Sequence, residues 1–366
     1  MCVSKARHSF KARVFEKIVD GLVLIRCPEW TLGKINFGWL ALLMGASLGF
    51  LDFTAFIKLL ILLMMIGLFG YMVNDWSDRR SDIAVGKRNA FANDSSRRYG
   101  IFLFSFVLLS AAAITIYVCD SALKAGLVVA QLSTSFAYSH PPLRLKARGI
   151  SGFITIIFSQ YLIPMSVVMA SLNGAKAPDW IFFLSFIGVN GACLELGHQR
   201  YDLKRDQAVG IQTFAASLKW EQITRWYRRL LIGLAAFIFA LPIYISGRIL
   251  MSGGIGRSKW FYAMLLLWVV VMLGVAVHRY LVKTRTTFYD PFYACRLITL
   301  DRLFTYFPNC FMLIYLAITF VPARTGDWRF AALAILWARI SLIKMRNSWH
   351  LEQVRRLLLP PELWWR

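Results

Sequence analysis

Acidic residues are scarce in this chain. Only 19 of 366 positions are Asp or Glu, and all charged types together make up 17%. A soluble domain carries about 25% charge, so a water-facing globule is the first class excluded. Proline is sparse too, at 11 residues, while 15% of the chain is aromatic. That combination excludes a disordered or collagen-like polymer. The cysteines are scattered at 2, 27, 119, 193, 295 and 310, without a C-x-x-C pair or Cys/His spacing. Neither a disulfide framework nor a zinc site is supported. The basic start (Lys5, Arg7, Lys11, Arg13, Lys17) lacks an early apolar core with a small-residue cleavage site. A cleaved signal peptide is not expected.

What the chain has in excess is apolar surface. Hydrophobic residues make up 58%, mean hydropathy is +0.56 and the net charge is +23. In a soluble protein that charge would suggest nucleic acid. Beside so much apolar sequence it points to basic loops meeting anionic membrane lipids, and no nucleic-acid partner is expected. Segments long enough to cross about 30 Å of hydrocarbon fall at 35–52, 56–75, 100–119, 121–139, 151–172, 179–198, 226–247, 259–281 and 303–321. The chain thus reads as all-α, a polytopic transmembrane bundle of about nine spans. Residues 1–34 form a basic segment whose Phe15, Ile18, Val19 and Leu22 recur at helical spacing, as in a helix lying in the interface. Residues 35–321 form the membrane domain. Residues 322–366 are a basic tail, and the apolar stretch Phe330–Ile343, interrupted by Arg339, reads equally as a tilted span, a half-helix or an interfacial helix.

Basic residues sort by loop. They crowd the connection after span 2 (Arg79, Arg80, Lys87, Arg88, Arg97, Arg98) and those after spans 4, 6 and 8. The opposite loops hold few, such as Lys58, Lys124 and Lys176. By the positive-inside rule the N-terminus and the even-numbered connections face the cytoplasm, which in a bacterium makes this a multi-pass protein of the inner membrane.

Two acidic motifs close spans 2 and 6. In Asn74-Asp75-Trp76-Ser77-Asp78-Arg79-Arg80-Ser81-Asp82, a helix sets Asn74, Asp78 and Asp82 about 40° apart in turn, with Asp75 near 100° from Asn74. One face carries three carboxylates and an amide. The acids either pair with nearby Arg79, Arg80 and Lys87 or hold a cation, because like charges stacked on one face repel. Carboxylate oxygens suit Mg²⁺, which binds through a few carboxylates plus substrate phosphates. The sixth span ends Glu195-Leu196-Gly197-His198-Gln199-Arg200-Tyr201-Asp202-Leu203-Lys204-Arg205-Asp206. Asp202 and Asp206 share a face, and Glu195 continues the stripe into the bilayer, at a cost on the order of 3 kcal/mol unless it meets a polar cavity or partner. Two facing acidic patches with Arg88, Arg144 and Lys146 nearby suit a phosphorylated head and a greasy tail, because metal and basic side chains stabilise a departing diphosphate.

These residues resemble the UbiA superfamily of intramembrane prenyltransferases. The family's N-D-x-x-D-x-x-x-D is matched at Asn74, Asp75, Asp78 and Asp82. Its D-x-x-x-D followed by G-x-x-T is matched at Asp202, Asp206, Gly210 and Thr213. The Y-S-x-P-P-x-R-x-K turn is similar to Tyr138–Lys146, and Arg26-Cys27-Pro28 is similar to the element leading into span 1. The resemblance covers about Arg26 to Phe320. It implies a helical bundle around a central cavity, with the active site at its cytoplasmic mouth, and Mg²⁺-dependent ionisation of an isoprenyl diphosphate. The prenyl group would pass to a lipophilic acceptor, aromatic in many members.

The sites implied are Asn74, Asp78, Asp82, Tyr138, Glu195, Asp202 and Asp206 for catalysis. Asp75, Asp78, Asp82, Asp202 and Asp206 would hold the metal, and Arg26, Arg88, Arg144 and Lys146 the diphosphate. Gln131 and Ser135, on one face with Tyr138, are expected to hydrogen-bond between helices. The chain departs from the family at Lys87–Asn93, where many members carry N-R-P-L-x-x-G, and at Lys204, where quinone-type members often carry an acid. A terpene cyclase of the same fold is the enzymatic alternative. A cation transporter would place its acids at mid-span, and a CDP-alcohol phosphotransferase would need D-G-x-x-A-R, which is absent.

Overall fold

The computed structural model describes Met44, residues 52–251 except 85, 87, 88, 93, 119, 173, 209 and 211, then 262, 263, 266, 267, 270 and 317–336. Most of the first, eighth and ninth expected spans lies outside the described residues. Those described are helical, without a strand among them. The helices are α1 (Phe53–Ala84), α2 (Asp94–Val118), α3 (Ala122–Ser139), α4 (Ile150–Ala170), α5 (Ala177–Ala208), α6 (Trp220–Met251) and the short α7 (Phe320–Thr325). Helices α1 to α6 coincide with the second to seventh spans read from the sequence. Among the described residues, α1, α4 and residues 177–200 of α5 are long and apolar enough to cross a membrane by length and composition.

Helix α1 contains no proline, and Asp52 accepts a hydrogen bond from the Ala55 N–H at 2.8 Å, satisfying one of its free N-terminal donors. Its 32 residues extend about 48 Å, well beyond the roughly 30 Å hydrocarbon layer. The final turns, Asn74 to Asp82, therefore project past the apolar layer. Helix α5 has the same length and likewise carries its motif on the last turns. Length alone lifts both acidic motifs to bundle ends.

Helix α1 packs against α2 and α3, α4 lies between α3 and α5, and α5 packs on α6. Leu63, Val73, Met165, Phe183, Cys193 and Leu196 form the buried interior, while Phe102, Leu109, Ile116, Ile232 and Ile243 point outward. Apolar residues on both sides of the same helices are what a bundle in lipid requires. Phe330 of the C-terminal segment is fully buried, with its ring 5.1 Å from Phe53 and 5.7 Å from Phe56. Residues 329–336 are helical and dock on the start of α1.

At the opposite end from the motifs, buried Asp179 ties α5 to α6. It accepts from the Tyr244 hydroxyl at 2.5 Å and from Arg248 Nη2 at 3.0 Å. Such a buried pair needs its extra hydrogen bonds to offset desolvation, and the Lys176 N–H supplies another at 2.7 Å.

Candidate active site

The first motif stands on unbroken helix, and its charges are answered by the turn that follows α3. Lys146 Nζ donates to Asn74 Oδ1 at 3.0 Å and also to Asp78 Oδ2. Arg144 Nη2 donates to Asp78 Oδ1 at 3.2 Å. Ser139, at the last residue of α3, donates from Oγ to the same Asn74 oxygen at 3.2 Å. Lys146 and Asp78 expose only 13% and 14% of their side chains, so removing either would leave a poorly solvated charge without its partner. Burial pulls the Lys146 ammonium below the ordinary lysine range, and the charge of Asp78 acts against that pull. The repulsion expected along the acidic face is relieved by basic side chains arriving from about 70 residues downstream.

The turn itself is shaped for this contact. Arg144 sits in the left-handed region at φ 36°, which costs a non-glycine residue about 1–3 kcal/mol. Its Nε is buried without a hydrogen-bond partner. Leu145–Ala147 forms a single 3-10 turn lying directly on the start of α4. A Cβ at Gly152 would come within 2.5 Å of the Leu145 carbonyl oxygen and 2.8 Å of Lys146 Cα, so only glycine permits the approach. His140 fixes the other side, stacked on Trp76 at 4.8 Å and hydrogen-bonded through Nδ1 to Ser77 Oγ at 3.2 Å.

Asp75 and Asp82, both buried, enter a second knot. Asn89 Nδ2 donates to the Asp75 carbonyl at 2.7 Å and to Asp82 Oδ2 at 2.8 Å, and Asn89 Oδ1 accepts from the Phe91 N–H at 2.8 Å. Arg79 Nε closes on the Phe91 carbonyl at 2.7 Å. This loop is the one that lacks the family's proline. Asn89 does the fixing there, a role the sequence did not disclose. Its signal was an amide seven residues beyond Asp82 in an otherwise basic loop. Arg88 lies outside the described residues, as does Arg26.

Across the bundle, Asp206 Oδ2 accepts from Thr213 Oγ1 at 3.3 Å, which brings the D-x-x-x-D and G-x-x-T elements into contact. Asp202 is helical within α5, but its side chain lies outside the described set. Buried Gln199 anchors the loop by accepting from the Ala215 N–H at 3.1 Å. The two motif loops are joined through backbone. Gly149 N–H donates to the Gln212 carbonyl at 2.9 Å, and Gly149 pairs with Thr213 in a parallel bridge. Gly149 has φ 55° and ψ −118°, which a side chain would not tolerate.

Tyr138, at the last turn of α3, lies within electrostatic reach of Glu195, Asp78 and Asp206 at once. Glu195 accepts a hydrogen bond from the Tyr161 hydroxyl at 3.1 Å. Tyr161 sits within a π-helical turn, Phe158–Leu162, inside α4, the kind of bulge often found at functional sites. Nothing in the sequence marked it. Gln131 and Ser135 do bond, at 3.1 Å, but within α3 rather than between helices as expected, because four residues place them one above the other on one face.

Among the described residues, no three His, Cys, Asp or Glu side chains converge on a single point. The donor chemistry nevertheless suits a hard cation. The Asn74 amide oxygen and the Asp78 carboxylate are hard donors, and they already gather around a positive charge, the Lys146 ammonium.

The sequence model of the UbiA prenyltransferase family matches residues 36–294. No curated protein matches the chain. In fold, the chain is similar to two solved structures of a UbiA homolog from Archaeoglobus fulgidus, one of them bound to Cd²⁺. Each superposes with a TM-score of 0.52 at 13% identity, covering 84% of this chain and 99% of that one.

Proposed function

The chain belongs to the UbiA prenyltransferase family, and from that premise we propose that it ionises an isoprenyl diphosphate and transfers the prenyl group to a lipophilic acceptor, releasing diphosphate. The observation that carries this reading is the knot of Asn74, Asp78, Arg144 and Lys146 at the end of a helix too long for the bilayer. It offers carboxylates and cations at one point, beside an apolar bundle that can house a chain of hydrocarbon.

In this reading Lys146 and the exposed part of the Arg144 guanidinium take the diphosphate oxygens, with Arg88 and Arg26 as further candidates. Asp75, Asp78, Asp82, Asp202 and Asp206 would hold Mg²⁺, which when bound supplies neutralising charge for the departing diphosphate. The Cd²⁺ bound by the Archaeoglobus homolog supports a divalent-cation site. Asn74 and Ser139 orient Lys146, and Tyr138 faces the carbon left electron-poor as the C–O bond breaks. Glu195, held by Tyr161, lies deeper, where the acceptor would attack. The motif-bearing end faces the cytoplasm, since the basic loops gather there. Turnover should vanish in excess chelator and return with Mg²⁺ or Mn²⁺, read as diphosphate release in purified protein. Full activity in chelator would sink the metal assignment.

The approach of the turn to α4 makes a second prediction. Gly152→Ala should push the Lys146 backbone away and raise the KM for the allylic diphosphate at least about 10-fold, because an ångström of misplacement can cost up to 100-fold. Helix content by circular dichroism should stay as in the parent. An unchanged KM would show that the placement of Lys146 does not matter.

A further inference from the structure

Helix α6 turns one face to the bundle and the opposite face outward. Ile223, Tyr227, Leu231 and Leu234 are all buried, and α6 packs on α5. At 100° per residue these four gather on one side of the helix. Arg225, Arg229, Ile232, Ala236 and Ile243 fall about half a turn away from them, and all five are exposed.

This outward stripe changes character along its length. It opens with two arginines four residues apart, which a helix sets one above the other. Trp226 is 50% exposed beside them, with the Arg229 guanidinium 5.7 Å from its ring. After Arg229 no charged residue occurs until Arg248. That uncharged run is about 27 Å long, close to the roughly 30 Å of hydrocarbon in a bilayer. The two arginines that bound it therefore mark the edges of the apolar layer. Arg248, at the far edge, is already paired with buried Asp179 at 3.0 Å. At the near edge the charge is in surplus. Lys219, Arg225, Arg228 and Arg229 stand against Glu221 alone, which lies a turn further from the apolar layer than Arg225. Among the described residues, ion pairs form at Lys124, Arg144, Lys146, Arg248 and Arg329, and not at Arg225 or Arg229.

We propose that this face of α6 binds an anionic phospholipid. Arg225 and Arg229 take the phosphate, Trp226 stands at the level of the glycerol backbone, and an acyl chain follows Ile232, Ala236 and Ile243. A guanidinium offers forked donors that match phosphate oxygens, and tryptophan favours the headgroup level. A soluble anion would gain nothing from the apolar stripe below the arginines. An acidic protein could not follow that stripe into hydrocarbon. A zwitterionic lipid carries its own cation beside the phosphate, which weakens its attraction to the basic surplus. The site stands at the end of α6 nearest the second acidic motif, since Arg200 of α5 lies over the Trp220 ring at 4.9 Å. It does not depend on the chemistry at that motif.

The test uses the full chain in detergent, given equal amounts of phosphatidylglycerol and phosphatidylcholine with the same acyl chains and read by native mass spectrometry. The parent should retain phosphatidylglycerol over phosphatidylcholine by at least about 5-fold, as two basic residues at an anionic surface warrant. Arg225→Gln with Arg229→Gln should bring the two lipids within about 2-fold of each other. Arg97→Gln with Arg98→Gln removes the same charge from the exposed start of α2 and should leave the preference intact. Added phosphatidylglycerol should also raise the parent's melting temperature, since a ligand of the folded state stabilises it. Inorganic phosphate at the same concentration should not. No preference in the parent, or a preference kept without Arg225 and Arg229, overturns the site. Equal loss in both double variants reduces it to diffuse surface charge and overturns it too. An equal rise in melting temperature with inorganic phosphate overturns the lipid in favour of a plain anion. Should the α6 double variant fail to fold, Arg225→Gln alone carries the test. Its preference should be at least halved, and an unchanged one overturns the proposal.

Discussion

Asp78→Asn should slow diphosphate release at least about 100-fold, a loss of roughly 3 kcal/mol of transition-state stabilisation. Asp78 meets both basic residues of the α3–α4 turn, Lys146 through Oδ2 and Arg144 through Oδ1. Asparagine keeps the shape and an accepting oxygen but removes the charge. Two effects then coincide. A ligand for the proposed cation is lost, and the largest counterweight to the burial that pulls the Lys146 ammonium down goes with it, leaving only the more distant charge of Asp82. Arg144 keeps its charge but loses the carboxylate that fixes its side chain. The measurement is Mg²⁺-dependent diphosphate release by purified protein, with helix content checked alongside. Near-normal release by Asp78→Asn would mean that the metal and its diphosphate sit elsewhere.

Glu195→Gln should separate the two halves of the reaction. Because α5 runs unbroken from Ala177 to Ala208, Glu195 lies about 10 Å deeper than Asp202, seven residues away. That is too far to join the same metal shell. Glutamine retains an oxygen to accept from Tyr161, which now bonds the carboxylate at 3.1 Å, so the local geometry survives while the charge does not. The yield of prenylated product should fall at least about 10-fold further than diphosphate release, with both measured on the same samples. A carboxylate at this depth costs on the order of 3 kcal/mol without its partner, a burden consistent with a task in catalysis. If release and product fall together in a folded variant, the separation of roles is wrong.

The parts of this fold that could be read from sequence are those encoded within one helix. The stacking of Asn74, Asp78 and Asp82 follows from helical spacing alone, and α1 to α6 occupy the expected apolar segments because hydropathy marks where a chain meets lipid. What could not be read are the contacts between segments. The partnership of Lys146 with Asp78 spans 68 residues, and no local pattern encodes it. The acids were expected to pair locally with Arg79, Arg80 and Lys87 or to hold a cation. Arg79 instead turns to the Phe91 carbonyl, and the counter-charge for Asp78 comes from the α3–α4 turn. The π turn at Phe158–Leu162 is built from Phe-Ser-Gln-Tyr-Leu, which holds neither proline nor glycine to betray a break in regular hydrogen bonding. It yields one of the features that matter most, the Tyr161 partner of Glu195. Asn89 was hidden for another reason. It substitutes for a missing proline by side-chain hydrogen bonds, a different physical solution to the same need for a fixed loop.

The bridge between Gly149 and Thr213 has a consequence for how freely this sequence can drift. It joins main chain to main chain, Gly149 N–H to the Gln212 carbonyl, so it reads no side chain on either loop. Gln212 is exposed and contributes only its carbonyl, leaving its identity open to change. Gly149 alone is fixed, by its φ of 55°. The register between the α3–α4 and α5–α6 loops can thus outlast extensive rewriting of their surface residues. A redesign that alters the specificity of one loop need not rebuild the other, provided that the single glycine is left in place.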